Sequence, residues 1–467
     1  MNEKRLKLLS EGPVTKSILV MSLPVVMGMM VQVLYNLVDT FFIGKLDNPN
    51  QLAAASISTP IFMILMALAG IIGTGAASYI SRCLGEKNNE QADKTLSIGM
   101  GVCIILALVV MISGIIFIKP LITILGTSND TFKYTYDYTL VLLIGSIPIM
   151  CNFAMGQLLR SEGDAMGSMI GMLIGTVINI ALDPVFIFAL GLETKGAAIA
   201  TVLGNTSALL YYCYRYISGK TLLKLKPSYF TFDKIIYKEI FTIGIPSSLN
   251  QLLVSVAMII CNNIAASYSD IVVAGLGVAS KIITIGTFIF MGFAAGCQPL
   301  VGFNYGAKNI KRVRAIIKNG ILITSLIGVT LCALFGIFAS YIISFFIPSP
   351  EVVDVGTTIL RALLLSLPFV GVHMICTTTI QAMGKALPGL FLSISRQGIF
   401  YIPMLIVLNK YFGFNGFIYA QPITDVLMVV ISILLLRKII NKDHKLEQLK
   451  AKEVMMHKEQ ITESSFE

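Results

Sequence analysis

Residues 175–190, GTVINIALDPVFIFAL, set an amide, a carboxylate and a helix breaker (Asn179, Asp183 and Pro184) inside an apolar run. In a helix, positions i and i+4 share a face, so Asn179 and Asp183 point the same way. Pro184 lacks an N–H and crowds the carbonyl four residues earlier, leaving the Ile180 oxygen short of its donor. Elsewhere the apolar runs hold few ionisable residues: Asp39, Lys281, Arg361 and Asp425, with His373 at the margin. A charge in hydrocarbon costs at least about 2.5–3.5 kcal/mol, which makes each of them a functional candidate. Asp39, in YNLVDTFFIG, and Thr201, in GAAIATVLGN, fall at the depth of Asp183 when the runs cross a membrane in order. Two carboxylates, an amide, a hydroxyl and a loosened carbonyl form an oxygen-rich set that suits a hard cation such as Na⁺. The same two acids, close together in low dielectric, cannot both stay ionised, and so suit a proton equally well. Residue types leave both open. A purely structural role, Asp183 bonding the kinked backbone and Asn179 packing between helices, leaves two acids unexplained.

Such a site needs a membrane frame, and the composition supplies one. Of 467 residues 55% are hydrophobic and 13% charged, with mean hydropathy +0.81. About twelve runs reach the ~20 apolar residues needed to cross a bilayer as a helix. They fall near 14–43, 52–82, 95–118, 134–158, 167–190, 196–217, 235–268, 272–302, 315–347, 353–383, 388–409 and 416–438. Continuous runs predict helices, not the short alternating strands of a membrane barrel. The opening MNEKRLKLLSEGPVTK is too polar for a removable signal peptide. Eight scattered cysteines, without a CxxC or a nearby histidine, offer neither a disulfide frame nor a zinc site. The net charge of +10 concentrates in the loops on the side of the N-tail, with Arg160, the set from Arg215 to Lys238, the cluster from Lys308 to Lys318, Lys385, Arg396 and the C-tail. Basic loops stay in the cytoplasm, so both termini are expected there, in a bacterial inner membrane. None of these runs interleaves stacking aromatics, so nucleic acid is not an expected partner.

The second half repeats the first with a shift of about 220 residues. Leu23-Pro24 meets Ile245-Pro246, LGEKN at 84–88 meets YGAKN at 305–309, and Pro148 meets Pro368. SEGDA at 161–165 then meets AMGKA at 382–386, Pro184 meets Pro403, and Gly196 meets Gly416. Six spans per repeat give two lobes of like orientation, related by an axis along the membrane normal, a design typical of alternating-access transporters. The predicted fold is thus all-α, integral to the membrane, with twelve transmembrane helices in two pseudo-symmetric six-helix lobes. Expected boundaries are an N-tail 1–13, an amino lobe 14–217, a linker 218–234, a carboxyl lobe 235–438 and a tail 439–467. Gly167, Gly171 and Gly175 share one helix face and predict close packing just below the polar cluster. Asn152 and Gln157, with His373 and Asp425, are secondary candidates for a substrate cavity.

Pro24 and Asp39, GEKN, RSEGDA, NIALDP and QPLVGFNYGAKN together resemble the MATE (multidrug and toxic compound extrusion) antiporters, over roughly residues 10–440. The resemblance implies two lobes around a V-shaped cavity, with Na⁺ or H⁺ entry driving drug exit. It implies a cation site at Asp39, Asn179, Asp183 and Thr201, reached above from burial cost and depth. Pro24 and Pro184 are the expected hinges. Some relatives place acids in the seventh and tenth spans; here those spans carry Asn250, Gln251 and His373 instead. Asp425 is left as an orphan for Lys281 or Arg361 to pair. The expected partners are cationic lipophilic drugs and membrane lipid, the chain acting as a monomer that needs no cofactor beyond its coupling ion and performs no enzymatic step. A flippase of the same superfamily, for lipid-linked saccharides, is the alternative; it would line its cavity with many basic groups, and only Lys281 and Arg361 lie within the spans. An intramembrane aspartyl protease would need a GxGD frame, and none is present.

Overall fold

The computed structural model describes residues 2–46 and 48–464. Twelve helical rods run through these residues. They are α1 (Val14–Gly44), α2 (Pro49–Gly85), α3 (Asn89–Ile116), α4 (Asn129–Ile144 with Ser146–Ser161), α5 (Ala165–Pro184 with a π-helical turn Val185–Ala189) and α6 (Glu193–Ile217). The second set is α7 (Lys234–Tyr268), α8 (Asp270–Gly306), α9 (Ile310–Ile337), α10 (Pro350–Leu364 with Leu367–Ala382), α11 (Ala386–Ile394 with a π segment Ser395–Tyr401, continuing to a break at Gly413) and α12 (414–464). Among the described residues, eight are each long and apolar enough to cross a membrane, and α4, bent by 54°, makes nine if its two parts count as one span. The other three, α6, α11 and α12, pack into the same bundle: α6 on α5, α11 on α7, and α12 on α10.

The repeat is visible in the backbone. In LGEKN and YGAKN the lysines, Lys87 and Lys308, take the left-handed conformation (φ 61° and 57°). The asparagine that follows caps the next helix, Asn88 Oδ1 accepting from Gln91 N at 3.1 Å and Asn309 Oδ1 from Arg312 N at 3.1 Å. Short helices Ile118–Ile124 and Ala339–Phe346 follow α3 and α9 in the same way. The α2 and α8 ends also meet reciprocally, Gly85 against the Phe303 carbonyl and Gly306 against the Arg82 carbonyl, with no room for a side chain at either glycine. A pseudo-two-fold axis therefore passes between α2 and α8.

The lobes meet through α1 and α2 on one side and α7 and α8 on the other, at the end of the bundle that carries the N-terminal helix and the basic turns. Ser22 Oγ donates to Phe293 O (3.3 Å), Ser78 Oγ to Gln381 O (2.6 Å), and Arg82 pairs with Glu239 at 2.6 Å. One continuous core, including Ile72, Ile80, Ile240, Phe293, Leu300 and Ile380, joins both lobes there. At the far end the buried apolar residues form separate clusters, one in the carboxyl lobe around Ala265, Leu276 and Ile359, and a small one in the amino lobe around Ile118 and Leu143. The lobes are thus sealed at the basic end and share no core at the far end among the described residues.

The N-terminal helix Asn2–Ser10 bridges this seal. Arg5 pairs with Asp164 (2.9 Å) and donates to the Lys220 carbonyl (3.0 Å), while Asn304 of the other lobe donates to the Leu9 carbonyl (2.8 Å). The connection between lobes is irregular apart from one turn, Pro227–Tyr229, and is pinned to the amino lobe. Glu162 Oε2 accepts from Leu222 N (2.7 Å) and Leu223 N (3.0 Å), and Asp93 from Lys224 N (2.8 Å). Burial pushes the Glu162 carboxyl up to about 8 despite those two amide donors. A raised folded-state value holds the proton more tightly than the unfolded chain, so this group's contribution is full below 4.5 and fades as pH rises through about 8. Glu162→Gln keeps an oxygen for both amides and removes the titration. Its thermal unfolding midpoint is expected to change less than that of wild type between pH 5 and 8, measured in detergent by fluorescence scanning.

Candidate functional site: an amide and carboxylate cluster in the amino lobe

Small residues let α5 and α6 approach closely. A Cβ on Gly204 would lie 2.6 Å from the Gly175 carbonyl and 2.9 Å from Asn179 Cβ, and Gly171 lies under the Tyr212 ring. The glycine face of α5 is therefore its contact with α6, and it places Asn179 Nδ2 3.4 Å from Thr201 Oγ1, which accepts its hydrogen bond. Asp183, one turn further along the same face, is wholly buried; Asn179 and Thr201 are 3% and 4% exposed. Asn179 Oδ1 is buried and accepts no hydrogen bond from the described residues. An amide and a hydroxyl are thereby held together out of water, with a buried carboxylate one turn along the same face.

The Asp39 side chain lies outside the described residues, but its backbone position is defined by α1. Helices α1 and α5 run parallel in contact, Gly28 against Met172 and the Phe42 ring edge-on to Phe188 with centroids 6.3 Å apart. Residue 39, three before Phe42, therefore stands level with the turn of α5 that carries Asp183. Pro24 lies within α1, which continues through it as one helix from Val14 to Gly44. Pro184 ends the α-helical part of α5, and the π turn Val185–Ala189 follows it. In the second repeat the π segment Ser395–Tyr401 precedes Pro403, so the two copies loosen their helices on opposite sides of the proline.

Sequence reading did not include Asn205, which extends the cluster. Its Nδ2 donates to the Thr201 carbonyl (2.8 Å), and its Oδ1 accepts from Asn152 Nδ2 (2.8 Å). Asn152 on α4 thus joins the α5–α6 site through Asn205, whose i+4 relation to Thr201 was the available signal. Gln157, also on α4, faces the opposite way, its Oε1 accepting from Thr74 Oγ1 on α2 (3.1 Å).

The carboxyl lobe departs from expectation. Asp425 pairs with neither Lys281 nor Arg361. Its Oδ1 is 2.8 Å from Arg396 Nε and its Oδ2 accepts from Gln421 Nε2 at 3.1 Å, with the carboxylate wholly buried. Arg396, counted above with the basic loops, lies in the π segment of α11 inside the bundle. Arg361 is exposed and donates to the Gly336 carbonyl at the far end of α9. His373 is held by Ser432 Oγ at Nδ1 (2.9 Å) and Thr377 Oγ1 at Nε2 (3.4 Å). The buried charge of this lobe is therefore neutralised internally by a tethered cation. Arg396→Ala would leave the Asp425 carboxylate alone in low dielectric and is expected to destabilise the lobe by about 3–5 kcal/mol. The Arg396→Ala/Asp425→Ala pair should recover part of that loss in a thermal unfolding assay.

Two duplicated bundles, sealed at one end and carrying a buried oxygen cluster in one copy, define a multi-pass membrane transporter. The chain belongs to the MatE family, whose sequence model matches twice, over residues 24–185 and 246–407. It is 30% identical over 442 residues to the multidrug export protein MepA of Staphylococcus haemolyticus, covering 95% of this chain and 97% of that protein. MepA of Staphylococcus aureus is 29% identical over 435 residues, covering 93% and 96%. A solved structure described as the outward-facing conformation of a multidrug resistance MATE family transporter of the MOP superfamily superposes with TM-score 0.90 at 29% identity, covering 95% of this chain and 99% of that one.

Proposed function

We propose that this protein exports lipophilic cationic drugs across the bacterial cell membrane in exchange for an entering proton or Na⁺, by alternating access. The observation that carries the reading is the buried Asn179–Asp183–Thr201 cluster, in one lobe of a duplicated bundle sealed only at its basic end. With the basic turns and both termini in the cytoplasm, the sealed end faces inward and the structure is the outward-facing state. The two MepA relatives, matched over nearly their whole length, support multidrug export as the activity.

In this reading Asp39 and Asp183 hold the coupling cation, with Asn179 Oδ1 and Thr201 Oγ1 completing its oxygen shell. Neutralising the acids removes the attraction that a drug cation feels in the cavity, and drug leaves outward. Export is driven only to the extent that ion and drug bind the two states with different affinity. Pro24 and Pro184 supply the points at which α1 and α5 adjust. Cells lacking their own efflux pumps and expressing this protein should accumulate less ethidium than vector controls. Equal accumulation at verified expression contradicts the reading.

A further inference from the structure

At the seal, the two lobes form a partly open pocket of about 30 Å³, lined by Ser81, Gln157, Arg160 and Ser161 from the amino lobe and by Ala295 and Gln298 from the carboxyl lobe. Its lining carries one cationic donor, Arg160, beside amide and hydroxyl groups. Arg160 reaches Ser168 Oγ with Nη1 (2.8 Å) and forms no ion pair among the described residues. Gln157 accepts from Thr74 through its oxygen (3.1 Å), and its Nε2 lies against Gly73 of α2. Gln298 Nε2 is buried with no hydrogen-bond partner. The two serine hydroxyls donate to Ala77 O (2.7 Å) and Leu158 O (2.6 Å). The acids of the neighbourhood are engaged elsewhere: Glu162 with the Leu222 and Leu223 amides, Asp164 with Arg5 and Arg215, and Glu239 with Arg82.

A half-buried guanidinium with no carboxylate partner and a buried N–H donor with no acceptor, Gln298 Nε2, line the same void. A volume of this size admits one small occupant. We infer that the seal between the lobes is a binding site for a small monovalent inorganic anion such as chloride, held by Arg160 and Gln298. Charge decides between anion and water: either accepts hydrogen bonds, and only the anion neutralises Arg160. Because Arg160 and Gln298 belong to different lobes, the site is complete only when the basic end is closed. A bound anion therefore favours that state over one open there. This second consequence rests on the alternating-access reading; the anion site itself does not.

The test uses the purified full chain at constant sodium, with chloride exchanged for gluconate. Chloride should raise Tm in a saturable way, and Gln298→Leu, which removes one donor from the carboxyl lobe and leaves Arg160 in place, should raise the half-saturating concentration about tenfold. Bromide-soaked crystals should give an anomalous peak between Arg160 and Gln298. The same Tm in chloride and gluconate, or only a water at that position, overturns the site. A cysteine-free Ser78→Cys variant reports the closed state through its maleimide labelling, which chloride should slow. Bromide bound with labelling unchanged overturns the state preference and leaves the anion site standing.

Discussion

Asp183→Asn is expected to reduce the initial rate of drug export by about 5- to 150-fold, the span of a coupling energy of 1–3 kcal/mol. Asparagine nearly matches aspartate in shape and can still bond the kinked backbone, so the helix survives the change. The charge that the proposed coupling ion would neutralise does not. Asp183 is wholly buried on the face of α5 that carries Asn179, and that face packs on α6 through glycine. No water can take the place of the lost carboxylate charge. If the residue only stabilised the bend beside Pro184, the amide would serve as well, and resistance would stay at the wild-type level. Drug resistance at matched expression, read together with the unfolding midpoint, separates these cases.

The second large effect is expected at the seal. Gly85 and Gly306 lie against the carbonyls of Phe303 and Arg82, where even a Cβ would overlap backbone that cannot rotate away. Gly85→Val should therefore part the lobes at their basic end. Overpacking of this kind costs about 1–3 kcal/mol, charged here almost entirely to the closed state, since the contact exists only between lobes. The closed state would lose about 5- to 150-fold in population and export would fall with it. Gly306→Val should act alike, and the pair should be less than additive because both substitutions open the same contact. Labelling of a cysteine placed at the seal would rise. Unchanged labelling and export would show that α2 and α8 do not form a moving gate.

The elements of the fold were legible because their signals are local. GEKN and GAKN encode a left-handed lysine followed by a capping asparagine, and both copies adopt that turn. Asn179 and Asp183 could be placed on one face from their spacing alone; of the glycines Gly167, Gly171 and Gly175 expected to pack closely, the last two meet α6, while Gly167 lies against the capping Asp164. Arg396 was misplaced for an equally local reason. Its neighbours Ser395 and Gln397 give the stretch the polarity of a loop, and only the packing of α12 shows that Asp425 holds it inside the bundle. The cavity at the seal lay beyond sequence reading altogether. Arg160 and Gln298 stand far apart in the chain, and Arg160, at the end of its span, has the character of an ordinary topology signal. No periodicity within one lobe reports what the other lobe brings to it.

The central claim is that an ion gradient acting on the amino-lobe acids drives export. The most direct measurement is ethidium transport into inverted membrane vesicles, with a pH gradient or a Na⁺ gradient imposed separately, for wild type and for Asp39→Asn. One gradient should drive uptake by the wild-type protein, its collapse should stop it, and Asp39→Asn should not respond to either. Uptake that persists with no gradient, or that Asp39→Asn supports at the wild-type rate, would contradict the account.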